Sequence, residues 1–253
     1  MDLGLKGKRA IILGGSRGIG FYTAGVLCDE GASVAFCARG AAGVQEAITA
    51  LSGRGDGVVF GGEADLESGE ATRAFCLEAL AALGGCDILI HNASAFGQPE
   101  GEAGWLRSFQ IDVMAGVRAV ETCEAALTES EAASITFIGS MASKYYFGRS
   151  SPYGPAKGAM RVYANELAQR LGPQRIRANV VSPGAVWFPG GGWDRTKTQS
   201  PKFYAAVERA IPLGRLGTAD ELARAIVFVA SPAGSWINAA HIVVDGGQVA
   251  AVD

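Results

Sequence analysis

Short, uninterrupted apolar runs alternate along this chain with longer stretches in which apolar positions recur at helical spacing. Arg9–Leu13, Ser33–Cys37, Gly57–Phe60, Asp87–His91, Ser134–Ile138, Arg177–Val181 and His241–Val244 read as seven strands. Between them, Ile19–Glu30, Gly69–Leu83, Leu106–Leu127, Pro152–Leu171 and Ala219–Ala230 read as helices. A strand buried on one face alternates apolar with polar residues. These runs do not alternate, so both faces must be covered, and the pattern predicts an α/β, doubly wound architecture with a seven-stranded parallel sheet between two helix layers. Ligands of such sheets bind beyond the carboxyl ends of the strands, which directs attention to the residue after each one. After the sixth strand the alternation breaks from Val186 to Leu213, where Pro189, Gly190, Gly191, Gly192 and Trp193 precede a helix-like stretch around Lys202–Arg209. This segment is expected to be a mobile lid over the site.

With 253 residues, 49% of them apolar and 19% charged, the chain can bury one large core, and a single domain over 1–253 is expected. A net charge of −3 and the lack of any Lys/Arg block argue against nucleic acid and anionic membrane surfaces as partners and point to a small molecule. Cys28, Cys37, Cys76, Cys86 and Cys123 are odd in number and widely spaced, with only His91 and His241 as imidazoles, which fits buried thiols and neither a disulfide framework nor a metal site. No basic-then-apolar leader opens the chain, and no uncharged apolar run reaches ~18 residues. A cytoplasmic location is expected.

Candidate chemistry begins after the first strand, where Gly14-Gly15-Ser16-Arg17-Gly18-Ile19-Gly20 leads into a helix. Glycines there let the backbone turn tightly and approach a pyrophosphate, which the positive helix N-terminus attracts, as in a Rossmann-type dinucleotide site. The second strand ends at Ala38-Arg39, where an NAD site would usually present a carboxylate to the ribose 2′-hydroxyl. Arg39 together with Arg17 would instead clamp a 2′-phosphate, so NADPH/NADP is the expected cofactor over NADH.

Tyr153 and Lys157 lie one turn apart on the same face of a predicted helix. A phenol with a reference pKa of about 10 is a poor acid–base catalyst at neutral pH, and a nearby ammonium stabilises its ionised form. Ser140, just beyond the Ser134–Ile138 strand, offers a hydroxyl to the same substrate oxygen.

Taken together, the glycine loop, Asp65-Leu66, His91-Asn92-Ala93-Ser94, the Ser140/Tyr153/Lys157 trio, Pro183-Gly184 and the terminal Val244-Asp245-Gly246-Gly247 resemble the compact branch of the short-chain dehydrogenase/reductase superfamily over nearly the whole chain. The resemblance implies an NADPH-dependent ketone reductase working reversibly. In it Gly14, Gly18 and Gly20 hold the pyrophosphate, Asp65 the adenine, Asn92 the backbone near the nicotinamide ribose and Lys157 that ribose's hydroxyls, with Ser16, Arg17, Ile19, Arg39, Leu66, Tyr153, Pro183, Gly184 and Val186 also against the cofactor. Tyr153 would protonate the nascent alkoxide and Ser140 polarise the carbonyl.

Five positions depart from the family pattern: Leu13, His91 and Ser94, Asp112 in place of the tetrad asparagine, and Phe188 in place of a cofactor-contacting threonine. An ionised Asp112 close to Lys157 would oppose formation of the Tyr153 phenolate. On that reading Asp112→Asn is expected to retain or raise activity near neutrality.

Ser94, Ala95, Phe96, Met141, Tyr145, Tyr146, Phe147, Trp187, Phe188 and Trp193 are candidate pocket residues, and their aromatic content favours an apolar or aromatic ketone, with a 3-oxoacyl substrate also open. Trp193-Asp194-Arg195 with Lys197 and Lys202 would add positive charge at the lid. Relatives of this kind assemble through paired helices, so a homotetramer or homodimer is expected, with the apolar faces of Leu106–Leu127 and Tyr153–Leu171 as interfaces. An NADP-binding regulatory or structural protein without turnover is the alternative.

Overall fold

The structure, a computed structural model, describes residues 1–146 and 150–250. Seven strands, β1 (Arg9–Leu13), β2 (Ser33–Ala38), β3 (Val59–Glu63), β4 (Ile88–His91), β5 (Ser134–Ile138), β6 (Arg177–Pro183) and β9 (His241–Val244), form one sheet. Its order is β3-β2-β1-β4-β5-β6-β9, and every neighbouring pair is parallel. The strand order reverses between β1 and β4, which opens a crevice at their carboxyl ends.

Side-chain alternation in β1 shows how the two layers arise. Ile11 and Leu13 enter a core shared with α3 (Gly69–Leu83), α5 (Ala115–Thr128) and α6 (Tyr153–Leu171). Ala10 and Ile12 face the opposite core, built with α1 (Gly18–Asp29), α2 (Ala41–Leu51) and α9 (Ala219–Ala230).

Two elements depart from the sequence expectation. The third strand lies at Val59–Glu63, not Gly57–Phe60, and so contains Gly61 and Gly62. A methyl at Gly61 would stand 2.8 Å from Ile48 and Val44, and one at Gly62 would stand 2.8 Å from Phe75. The glycines that look like a strand end are the positions where helices press on the strand. The single helix expected over Leu106–Leu127 is α4 (Glu102–Ser108), a π-helical turn at Phe109–Met114, and then α5. The extra residue in the wide turn brings both Ile111 and Asp112 into the interior.

The segment after β6 is ordered as a two-stranded ribbon, β7 (Val186–Trp187) with β8 (Gly217–Thr218), and two helices, α7 (Gly192–Gln199) and α8 (Pro201–Ala210). No helix among the described residues is long and apolar enough to cross a membrane.

At the opposite, amino-terminal edge of the sheet, Asp87 accepts from the Arg9 guanidinium at 2.9 and 3.1 Å, from the Arg9 backbone N–H at 2.9 Å and from the Ser130 hydroxyl at 2.6 Å. Burial raises the Asp87 pKa, but these donors outweigh it and hold the carboxyl below the usual carboxylate range. A depressed folded-state pKa contributes stability above the unfolded value of about 3.9 and loses it as pH falls through the folded one. Asp87→Asn is therefore expected to cost about 1–3 kcal/mol in urea melts at neutral pH. Its melts should converge with wild type in acid, and a deficit that persists at low pH would contradict the charge argument.

Candidate active site

The crevice begins at the glycine loop. Gly14 (φ +86°) and Gly18 (φ +56°) occupy the left-handed region that other residues avoid. A side chain at Gly20 would strike the Gly14 carbonyl oxygen and the Asn92 side chain. Asn92, just past β4, donates its side-chain N–H to the Gly14 carbonyl at 2.6 Å, and its backbone N–H donates to Leu13 at 3.0 Å. These bonds tie the first and fourth strand ends together at the switch point. Arg17 and Arg39 are both exposed, and neither is paired with a carboxylate among the described residues. Asp65 is exposed and caps its own turn by accepting from the Glu67 N–H, whereas Leu66 is buried in the core. Beyond β6, Gly184 N–H donates to Val244 and Ala185 N–H donates to the Gln248 side chain, which fixes Pro183 through Val186 against the last strand.

An open loop, a helix N-terminus and two uncommitted guanidiniums suit a phosphorylated dinucleotide. One residue narrows the cradle. Phe188 lays the end of its ring against Gly18, where an added methyl would be 2.7 Å from the ring, and against Gly191, where it would be 2.9 Å away.

The second half of the site is the start of α6. Tyr153 opens that helix and Lys157 follows one turn later, its Nζ 5.9 Å from the centre of the tyrosine ring. Ser140 caps a 3₁₀ turn at Met141–Ser143, its hydroxyl oxygen accepting from the Ala142 N–H at 3.1 Å. This turn docks on α6 because residue 154 is glycine: a methyl there would stand 2.6 Å from the Ala142 carbonyl oxygen. The Ser140 hydrogen remains available to a ligand. The Tyr153 hydroxyl has no partner among the described residues.

Lys157 is 2% exposed and Asp112 fully buried, with Nζ 3.1 Å from Oδ1. The contact is ionic, without aligned hydrogen-bond geometry. Asp112 Oδ2 accepts from the Ala95 N–H at 2.9 Å. His91 stands 3.1 Å, through Nε2, from the Asp112 carbonyl oxygen, which can only accept, so Nε2 carries the proton. Burial, and then the Lys157 charge, push the His91 pKa down to about 4, so the ring is neutral at pH 7.

Among the candidate pocket residues, Phe96 stacks on Tyr153 with ring centres 6.2 Å apart and planes 21° from parallel. Trp193 stacks instead on Phe203 and meets Tyr204 edge-on, and the Trp187 indole N–H donates to Asp194. These tryptophans hold the 186–213 segment together internally. Asp194 also accepts from the Gly190 N–H and Arg195 donates to the Gly190 carbonyl, so part of the charge expected to face a substrate is spent within the segment. Phe147 lies outside the described residues.

Residues 14–248 match a family model described as enoyl-(acyl carrier protein) reductase. An isoepoxydon dehydrogenase of Aspergillus clavatus is 35% identical, over 96% of this chain and 95% of its own. The chain belongs to the short-chain dehydrogenase/reductase family. Members are oxidoreductases that act on CH–OH or carbonyl carbons with a nicotinamide dinucleotide. A second family member, a rhamnolipid-biosynthesis 3-oxoacyl-[acyl-carrier-protein] reductase of Pseudomonas aeruginosa, is 32% identical over 96% of both chains. In three dimensions the chain is similar to L-sorbose reductase from Gluconobacter frateurii, crystallised with NADPH and L-sorbose, with a TM-score of 0.91, 25% identity and full coverage of both chains.

Sequence reasoning singled out His91 and Asp112 separately and missed that they touch. It also missed the Ala95 N–H as a donor to Asp112 and Gly154 as the seat of the Ser140 turn. A clue was present, since the residues at 91 and 112 depart from the family pattern together.

Proposed function

We propose that this short-chain dehydrogenase/reductase reduces a ketone to a secondary alcohol with NADPH, Tyr153 serving as the proton donor. The observation that carries the reading is the convergence of Tyr153, Lys157 and the Ser140 turn on one helix start, beside the glycine loop at the strand switch point. The dinucleotide, when bound, supplies hydride to the carbonyl carbon. Ser140 donates to the carbonyl oxygen and draws its electrons away from carbon. The Tyr153 O–H transfers its proton to that oxygen as negative charge develops. Lys157, held by Asp112, directs its ammonium toward the phenol and the ribose side of the site. In the reverse direction Tyr153 accepts the proton.

The glycine loop and Asn92 would seat the pyrophosphate and nicotinamide ribose, Asp65 and Leu66 the adenine, and Pro183 through Val186 the nicotinamide. The exposed Arg17 and Arg39 would take the 2′-phosphate, and the NADPH complex of the structurally similar sorbose reductase supports this choice. Arg39→Asp is expected to weaken NADPH binding by about 10- to 100-fold, the loss of one or two charge-assisted hydrogen bonds, while NADH binding changes little. Equal weakening for both cofactors, measured by fluorescence titration, would place Arg39 outside the phosphate site.

The substrate is an apolar or aromatic ketone entering past Phe96, Met141 and Tyr145, with the 186–213 segment as its lid. The chain assembles as a homotetramer or homodimer through the α4–α5 and α6 faces, where Trp105, Leu106, Phe109, Met114 and Val162 leave apolar surface exposed. It works in the cytoplasm, which suits five buried, unpaired thiols. The deciding experiment follows NADPH oxidation across ketones, quinones and 3-oxoacyl thioesters. Turnover that requires Tyr153 supports the reductase reading, and tight NADPH binding without turnover on any substrate counts against it.

A further inference from the structure

Two contacts meet at Asp112. Its side chain faces two groups that only donate, the Lys157 ammonium at Oδ1 and the Ala95 N–H at Oδ2. A carboxylate suits both, Oδ1 held by charge and Oδ2 by a hydrogen bond. An asparagine of the same shape has one oxygen and one NH₂, so whichever way it is turned it sets a donor against a donor. Full burial leaves no water to relieve the mismatch.

The Ala95 end of this contact governs an unusual loop. The next residue, Phe96, holds φ +55°, a conformation that residues with side chains seldom adopt, and the residue is 64% exposed while its ring lies on the Tyr153 ring. Gly97, at φ +69°, passes so close to Ser151 and Tyr153 that a side chain there would strike the Ser151 hydroxyl. The loop is thus pressed against the start of α6 and held from behind by Asp112.

We propose that Asp112 is a two-ended clamp that positions Lys157 with one oxygen and the Phe96 loop with the other. Phe96, so held, is the specificity-determining wall of the pocket and favours planar, ring-bearing carbonyl substrates. The proposal rests on the reductase reading for its substrate half only, because the clamp is a property of the protein without ligand. It reverses the expectation that Asp112→Asn is harmless.

Hydrogen exchange at the Ala95 amide, read in the ligand-free protein, tests the clamp without any turnover. In wild type this loop amide should exchange as slowly as strand amides of β4, and in Asp112→Asn it should exchange at least about tenfold faster. An Ala95 amide that exchanges at ordinary loop rates in wild type overturns the clamp, whether or not the variant folds. Phe96→Ala alters an exposed side chain, and its KM for aryl or cyclic ketones should rise about two- to tenfold, the worth of one aromatic contact, and by more than its KM for a short aliphatic ketone. In the Phe96→Ala background Asp112→Asn should add no further substrate discrimination, although kcat still falls through Lys157. Equal KM changes for ring and aliphatic ketones in Phe96→Ala overturn the specificity role. Unaltered turnover in Tyr153→Phe would remove the reductase reading while leaving the exchange result standing.

Discussion

Tyr153→Phe is expected to lower NADPH-dependent ketone reduction by about 10²–10⁴-fold, the usual contribution of a positioned general acid, while NADPH affinity stays within about twofold of wild type. The hydroxyl is the one atom removed, and it makes no hydrogen bond to the rest of the protein among the described residues, so the fold gives up nothing with it. The Phe96 stack survives, because it involves the ring and not the oxygen. Loss of kcat with retained cofactor binding and an unchanged melting temperature would isolate the chemical role. A variant that still reduces ketones at near wild-type rate would show that the proton comes from elsewhere, with Ser140 the nearest candidate.

Lys157→Met should have the other large effect, and it should appear in two measurements at once. The ammonium disappears from beside Tyr153 and from the ribose side of the site, so turnover should fall by about 10²-fold or more. Independently, Asp112 is left as a buried carboxylate with the Ala95 N–H and no countercharge. Breaking a buried pair in this way costs about 3–5 kcal/mol, which for a chain of this size lowers the melting temperature by roughly 10 °C. Removing both partners, as in Lys157→Met with Asp112→Leu, should recover much of the stability and none of the activity. If Lys157→Met alone melts with wild type, Asp112 is not held as an anion by Lys157, and the clamp loses its charged end.

The pairing also separates this chain from a simple copy of its family pattern. With asparagine at position 112, a lysine and a side-chain amide would meet; here a cation and an anion are fully buried together. A neutral His91, bonded to the Asp112 carbonyl and pushed to a pKa of about 4 by burial and by Lys157, adds no second charge to that interior. The departures at 91 and 112 form one local arrangement.

Much of the architecture could be read from the chain because its signals are local. Continuous apolar strands demand cover on both faces, and Ile11 with Ala10 shows the alternation sending neighbours into opposite cores. The glycine loop, the one-turn spacing of Tyr153 and Lys157, and the missing acid after β2 are likewise written in nearby residues, so these candidate groups are legible in the chain itself. The β3 boundary and the π-helical turn could not. Gly61 and Gly62 belong to a strand only because α2 and α3 press on it, and the extra residue at Phe109–Met114 is accommodated by packing that periodicity does not encode.

The site divides in the same way. Residue identity and short-range spacing are enough to name the candidate groups and the strand ends that carry them. Tertiary structure alone decided that Asp112 reaches both Lys157 and Ala95, that Phe96 lies on Tyr153, and that Trp193 packs within its own segment instead of lining the crevice. Those contacts join residues from different elements, and their distances are set by how helices and loops seat on the sheet, a balance of many weak contacts that no local pattern records.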